Sequence, residues 1–153
     1  MSSHSFHLDA RRIFERISFG PLVDDLARMH RESPADLQDM LLEQAGQMGK
    51  DYCLIRAAWQ GGAALGVKIA SVFPANVSHD LPAIHAAYIL FDGANGVPVR
   101  SIDGNALTYL KTAADSALGS RLLARPDSQR LLMVGAGAMA PYLIEAHCTV
   151  HPQ

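Results

Sequence analysis

The stretch that decides the fold is "DYCLIRAAWQGGAALGVKIASVF", residues 51–73. Two apolar, partly β-branched runs flank the short turn "QGG", which is the pattern of a β-hairpin. Pro74 follows the second run and ends it, because proline cannot donate a hydrogen bond to a sheet. The stretch therefore predicts two neighbouring antiparallel strands.

A second hairpin is predicted immediately downstream. "AAYILFD" (86–92) and "VPVRSID" (97–103) are separated by a turn that contains Asn95-Gly96, the dipeptide favoured where a tight turn needs positive φ. No helical pattern lies between these strands, so we expect an antiparallel sheet.

Helices are predicted around this sheet. Asp9 is a candidate cap for a short first helix, and Gly20-Pro21 begins a second. "SPADLQDMLLEQ" (33–44) is close to a capping box followed by helix formers, and it predicts a third. "NALTYLKTAADSALGSRLLA" (105–124) predicts one long helix, which Pro126 ends.

A glycine-rich turn follows a short apolar run. "RLLMV" (130–134) predicts a buried strand, and Gly135, Gly137 and Ala140 then match the pattern G-x-G-x-x-G/A. In dinucleotide-binding folds the glycines permit a tight turn and a close approach of the backbone to a pyrophosphate, which lies at a helix N-terminus. An ordinary tight turn in an Ala/Gly-rich segment is the alternative.

These elements predict a fold in two parts. Residues 1–125 are expected to form an α+β domain of helices plus an antiparallel sheet, and residues 126–153 the first βα unit of a truncated Rossmann fold. The fingerprint also expects an acidic residue about 20 positions after the turn. That position lies beyond residue 153, so the predicted dinucleotide-binding domain is incomplete.

Composition excludes several classes of partner. The chain has 13 basic and 15 acidic residues and no basic run, which disfavours nucleic acid. Its apolar stretches fall far short of the ~20 residues of a membrane span. Two cysteines, Cys53 and Cys148, fit a reducing cytoplasm. His147, Cys148 and His151 lie close together, but no second pair of ligands matches them, so no metal is predicted.

Two cations stand out in the first hairpin. Arg56 and Lys68 are each the only basic residue of their apolar run, and a buried cation is costly unless it is paired. The partner could be a substrate carboxylate or a protein carboxylate. If residue 56 lies opposite residue 68, both side chains project from one face of the sheet; otherwise they are edge charges that meet solvent.

Other polar and aromatic residues have simpler interpretations. Lys111 and Asp115 have the i, i+4 spacing of a surface ion pair on a helix. Trp59, His85 and Tyr88 are interpreted as packing residues.

Three segments resemble the ornithine cyclodeaminase/mu-crystallin family in order and spacing. They are "GVKIASVFPAN" (66–76), "YILFDGANGVPVRSIDGNALTYLKTAADSALGSRLLA" (88–124) and "LLMVGAGAMA" (131–140). The resemblance covers about residues 50 to 145, and its middle block is a family hallmark. It implies an N-terminal domain that binds substrate and forms a homodimer, then a Rossmann domain for NAD or NADP. Complete members are roughly twice this length, so the chain is expected to be the front half of such a protein.

The resemblance also implies roles for particular residues. Lys68 matches the lysine that binds or polarises the substrate and is the implied catalytic residue. Lys111 takes the place of an arginine that touches both the substrate carboxylate and the cofactor, and Thr112 follows it. The implied pyrophosphate turn consists of Gly135, Ala136, Gly137, Ala138 and Met139.

Two departures from the family pattern bear on the substrate. Lysine at position 111 lacks the planar fork with which arginine binds a carboxylate. The family's earlier substrate arginine has no counterpart between Pro34 and Cys53, and Arg56 is the candidate to replace it. The family's catalytic aspartate falls beyond residue 153.

The implied activity is that of an NAD(P)-dependent ornithine cyclodeaminase-like enzyme or a reductase of cyclic imines such as pyrroline-2-carboxylate. Its substrate would be a small amino acid or imine acid. The alternative is a catalytically inactive, truncated module for dimerisation or ligand binding.

Overall fold

A computed structural model describes residues 6–152. Within this range the chain forms six strands, four α-helices and one 3-10 helix. In chain order they are β1 (His7–Leu8), α1 (Ala10–Arg16), α2 (Phe19–Met29), β2 (Asp36–Gly46), β3 (Gly49–Gln60), β4 (Ala64–Val72), the 3-10 helix (Pro74–His79), β5 (Ile84–Asp92), β6 (Pro98–Asp103), α3 (Gly104–Leu123) and α4 (Ala140–Val150).

The strands form one sheet in the order β1-β6-β5-β4-β3-β2. Both predicted hairpins are confirmed, since β3 pairs antiparallel with β4 and β5 pairs antiparallel with β6. The prediction of a purely antiparallel sheet was wrong at one edge. There β1 runs parallel to β6, with His7 opposite Ser101 and Leu8 opposite Ile102, so the sheet is mixed.

Local turn chemistry explains the second hairpin. Gly96 has a φ of 73°, which a side chain would disfavour. The Asn95 side-chain oxygen accepts a hydrogen bond from the Val97 N–H at 2.9 Å, and the Asp92 carboxylate accepts one from the Ala94 N–H at 2.8 Å. The Asn-Gly turn predicted from sequence is therefore supported by side chains on both of its sides.

The helix predicted over residues 33–44 was wrong. Asp36–Gly46 is the edge strand β2, which pairs with β3 without interruption from Asp36 opposite Trp59 to Gly46 opposite Gly49. Gly49, at a φ of 101°, permits the tight turn between the two strands. Continuous pairing with a neighbouring strand overrides the helix propensity of Leu, Met, Glu and Gln, which is a weak preference.

The other predicted helices form. The Asp9 carboxylate accepts a hydrogen bond from the Arg12 N–H at 2.9 Å and caps α1. α2 spans the predicted Gly20-Pro21 start, and α3 covers the predicted long helix. α4 follows the glycine turn as expected, with Pro141 in its first turn.

The buried strand predicted at residues 130–134 was also wrong. No strand is assigned there, and Leu132 and Val134 are 85% and 87% exposed. A strand requires a neighbour for its backbone hydrogen bonds, and no described residue pairs with this segment. The strand of the predicted first Rossmann unit is therefore not confirmed.

The chain divides into two compact units. One contains Pro34–Asn105 with the described residues up to Ile13, and the other contains Phe14–Ser33 with the described residues from Ala106 onward. This division differs from the boundary predicted at residue 125, and a dinucleotide-binding role for residues 126–153 stays a prediction. The second unit buries a mainly small-residue core: Phe19, Val23, Ala106, Leu110, Ala113, Ala114, Ala117, Leu118 and Ala146.

No helix within residues 6–152 combines the length and the apolar character needed to cross a membrane.

Candidate functional site

A row of polar side chains crosses one face of the sheet. Arg56 on β3 lies opposite Lys68 on β4, and Lys68 lies opposite Tyr88 on β5. On the other side Arg56 lies opposite Asp39 on β2. Directly paired residues project from the same face of a sheet, so the two predicted cations do share a face. We call Asp39, Arg56, Lys68 and Tyr88 the polar row.

Arg56 has a protein carboxylate partner. Its Nε donates to Asp39 Oδ1 at 2.7 Å and its Nη2 donates to Asp39 Oδ2 at 2.6 Å. This bidentate hydrogen bonding lowers the pKa of Asp39 and raises that of Arg56. Arg56 is thus held in a fixed position at the exposed side of the row, and its charge is already balanced by Asp39.

Lys68 lies deeper in the sheet than Arg56. It is half-buried, with Gly66 and Ala70 as its neighbours on the same face of β4. These two positions carry little or no side chain, so residues of neighbouring strands can lie beside the lysine stem. A half-buried ammonium group at this place is suited to neutralising an anionic group that approaches the face.

The Tyr88 ring occupies the space above Gly66. A Cβ on Gly66 would overlap the Tyr88 hydroxyl oxygen, so glycine is what allows the phenol to lie there. Burial raises the pKa of Tyr88 because it disfavours the phenolate. The polar row therefore ends at a neutral phenol beside Lys68.

Lys111 and Thr112 lie on α3 in the second unit, and both are exposed. Lys111 Nζ contacts Asp115 Oδ2, the ion pair that their spacing predicts. The other carboxylate oxygen, Asp115 Oδ1, is buried and has no hydrogen-bond partner. Asp115 therefore holds Lys111 through one oxygen and keeps an unused acceptor on the other.

The glycine turn leads directly into α4. Gly135 has a φ of 103°, and the Ala140 N–H donates to the Gly137 carbonyl at 3.0 Å as α4 begins. A Cβ on Gly137 would meet no atom within 4 Å. Among the described residues no side chain caps the N-terminus of α4. The Ala140 N–H is already donated to Gly137 and Pro141 has no N–H, so these two positions offer no N–H group to a phosphate oxygen. A pyrophosphate-binding role for Gly135, Ala136, Gly137, Ala138 and Met139 stays a prediction.

The histidines near the end of the chain have hydrogen-bond partners of their own. His147 Nε2 lies 3.0 Å from Ser116 Oγ, and His151 Nε2 lies 3.0 Å from Ser120 Oγ. Burial, and the nearby His151, lower the pKa of His147. Within residues 6–152 no three side chains are grouped so as to hold a metal ion.

A cleft in the second unit lies beside these histidines and holds about 240 Å³. Its lining contains none of the residues that the sequence assigns to substrate or cofactor. Chemistry, and not cavity size, therefore identifies the polar row and the glycine turn as the candidate sites.

Sequence reasoning missed two members of the polar row. Asp39 was assigned to a helix, which concealed its alignment with Arg56. Tyr88 was interpreted as a packing residue, because the sequence signals did not predict the register between β4 and β5 that places it opposite Lys68.

Comparison with known proteins agrees with the resemblance noted in the sequence. A model of the ornithine cyclodeaminase/mu-crystallin family matches residues 38–152. Among curated relatives, Protein SAR DEFICIENT 4 of Arabidopsis thaliana is 44% identical over 102 residues, which are 65% of this chain and 31% of that protein. The Delta(1)-pyrroline-2-carboxylate reductase of Paracoccus denitrificans is 38% identical over 138 residues, 90% of this chain and 42% of that protein.

A solved structure shows the same similarity. The Delta(1)-pyrroline-2-carboxylate reductase of Thermococcus litoralis, in complex with NADH and L-proline, superposes with a TM-score of 0.81 at 25% identity. The match covers 95% of this chain and 46% of that one. The chain thus spans less than half the length of these relatives. The family model and the superposition agree, and the chain belongs to the ornithine cyclodeaminase/mu-crystallin family.

Proposed function

We propose that this chain supplies the carboxylate-binding face and the pyrophosphate turn of an NAD(P)-dependent enzyme. Its substrate is a small cyclic imine acid or the corresponding amino acid, as for pyrroline-2-carboxylate reductases and ornithine cyclodeaminases. The observation that carries the proposal is the register of the polar row, in which half-buried Lys68 stands between Arg56 and Tyr88 on one face.

In this scheme Lys68 binds the substrate carboxylate and fixes the position of the neighbouring carbon. Arg56, whose charge is balanced by Asp39, is the second candidate residue for binding the carboxylate, through guanidinium N–H groups other than the two that Asp39 accepts. Lys111 and Thr112 contact the cofactor, and residues 135–139 hold its pyrophosphate. When bound, the nicotinamide supplies the hydride.

Replacement of Lys68 tests the proposal in the protein that carries this chain. We expect Lys68→Ala to lower kcat/KM for Δ1-pyrroline-2-carboxylate by at least about tenfold, because the carboxylate loses its counter-charge. The matched control is Lys50→Ala. Lys50 is an exposed lysine of β3 that pairs with Glu43, and its removal should leave the kinetics unchanged. Unchanged kinetics in Lys68→Ala would remove Lys68 from the site.

A second candidate function is a non-catalytic module for ligand binding or dimerisation. It is favoured by the exposed, unpaired segment before the glycine turn, where Leu132 and Val134 have no strand to pair with. Titration of the 153-residue chain with NADH separates the two candidates. Micromolar binding supports the cofactor turn, whereas absence of binding supports the module.

We further propose that the chain forms a homodimer through its sheet. The face opposite the polar row exposes several large apolar side chains: Met40, Leu42, Trp59 and Ile69. Burial of such a patch against a second copy is favourable. Light scattering should then report a dimer for the wild type and a monomer for Leu42→Lys, and a wild-type monomer would contradict this assignment.

A further inference from the structure

Tyr88 carries a hydroxyl group beside Lys68 on the polar row. The residue is half-buried on β5, and burial alone accounts for the raised pKa of its phenol. A tyrosine hydroxyl in a partly buried position is a directional hydrogen-bond donor, and this one lies beside Lys68 on the polar row.

The sheet gives this hydroxyl a defined position. Tyr88 is the direct cross-strand neighbour of Lys68, and its ring lies over Gly66 on the same face as that lysine. Any side chain at position 66 would collide with the phenol oxygen. The glycine therefore allows the hydroxyl to lie on the polar row, two residues along β4 from Lys68.

A carboxylate has two oxygens that accept hydrogen bonds. The Lys68 ammonium is a compact charge on a flexible stem, and it does not by itself orient a planar carboxylate. A neutral phenol donates a single directional hydrogen bond. A tyrosine phenol is protonated at neutral pH, so an ammonium and a phenol together can bind both oxygens.

We propose that Tyr88 is a substrate-binding residue. Its O–H donates a hydrogen bond to one oxygen of the carboxylate whose charge Lys68 neutralises. The inference rests on the proposed function, because it places the tyrosine in the same carboxylate site. It adds a specificity role: the Lys68–Tyr88 pair selects a free acid over the corresponding amide.

Calorimetric binding of pyrrole-2-carboxylate, a planar analogue of a cyclic imine acid, to the full chain tests the inference. Tyr88→Phe removes one oxygen and keeps the ring. We expect the Kd of this variant for pyrrole-2-carboxylate to rise about tenfold, which corresponds to about 1.4 kcal/mol of binding free energy. Pyrrole-2-carboxamide measures selectivity. Preference for the acid over this amide should fall by a similar factor, a change that loss of packing alone would not produce.

Tyr52→Phe is the matched control. Tyr52 lies on β3 and projects from the same face, opposite Val72, so the variant removes the same group from another part of that surface. Its Kd should stay within about twofold of the wild type. Gly66→Ala should weaken binding as Tyr88→Phe does, because the added methyl group displaces the phenol.

Lys68→Met separates failure of this inference from failure of the proposed function. Loss of binding in Lys68→Met with an unchanged Kd in Tyr88→Phe overturns only the role of Tyr88. Unchanged binding in Lys68→Met, or no saturable binding by the wild type, overturns the carboxylate site and the tyrosine with it. Equal losses in Tyr88→Phe and Tyr52→Phe also overturn the inference.

Discussion

The strands around Lys68 and the segment around Gly135 both carry sequence motifs of the family, yet they are held in different ways. β4 lies between β3 and β5 and is paired along its whole length on both sides. Residues 131–136 belong to no strand, and they leave Leu132 and Val134 to solvent. A motif thus specifies residue types, whereas neighbouring backbone decides whether those residues form the expected strand.

Hydrogen exchange should show the largest difference between these regions. The backbone hydrogen bonds of β4 break only when the sheet unfolds. We therefore expect its amide hydrogens to exchange at least ~10³-fold more slowly than those of residues 131–136. Exchange followed by NMR at Val67 and Leu132 measures this contrast. Slow exchange at Leu132 would mean that the segment is paired after all, and it would remove the distinction drawn here.

Replacing a glycine by alanine in each region should change the free energy of unfolding by different amounts. A Cβ on Gly93 would overlap backbone atoms of Ala63 and Ala64, whereas one on Gly137 meets nothing within 4 Å. We expect Gly93→Ala to lower the free energy of unfolding by about 1–3 kcal/mol because the sheet must shift. Gly137→Ala should change it by less than about 0.5 kcal/mol.

Urea unfolding of the two glycine variants provides this measurement. Equal stabilities would show that the paired region tolerates a side chain as readily as the glycine turn does. Gly137→Ala offers a second readout, because it should weaken NADH binding if the turn holds a pyrophosphate.

Two ion pairs should show a smaller difference between long-range and local contacts, in the pKa of their carboxyl groups. Asp39 is held by cross-strand Arg56, and Asp127 by its near neighbour Arg125; hydrogen bonding lowers the pKa of both carboxyl groups below 3.8. A folded-state pKa below the unfolded one gives stability that is complete above about pH 3.8 and is lost as the pH falls through the folded value.

NMR titration of the carboxyl carbons should separate the pairs. Arg56→Gln should return the pKa of Asp39 toward its usual value and leave that of Asp127 lowered. In mild denaturant the pKa of Asp39 should rise before that of Asp127. The partner of Asp39 lies on another strand, whereas the partner of Asp127 is two residues away in the sequence. If the pKa of Asp39 stays lowered in Arg56→Gln, the cross-strand hydrogen bonds are not its cause.

Sequence alone predicted the part of the fold that local signals determine. The Asn95-Gly96 turn, the Asp9 cap and the two apolar hairpins each depend on a few adjacent residues, and all form. The sequence left open whether Arg56 and Lys68 lie on the same face or on opposite faces of the sheet. The structure places them on the same face because the three-residue loop 61–63 sets the pairing of Gln60 with Ala64.

The wrong or missing predictions concern segments whose structure depends on residues far away in the sequence. Residues 36–46 have helix-forming side chains, yet they complete a sheet whose other strands the local pattern does not contain. β1 was not predicted, because two residues are too few to show the alternation of apolar and polar side chains of a strand. Its partner β6 also lies far along the chain. Tyr88 could be assigned beside Lys68 only with the β4–β5 register, and the space that it fills exists because residue 66 is glycine.

The parallel pairing of β1 with β6 has a consequence for biosynthesis. β2 to β5 follow one another along the chain and can associate in the order in which they leave the ribosome. The contact between the His7 ring and the Ser101 hydroxyl, by contrast, joins residues 94 positions apart. β1 must therefore wait until β6 has been translated, and this late closure should make docking of β1 a slow step in folding of the sheet.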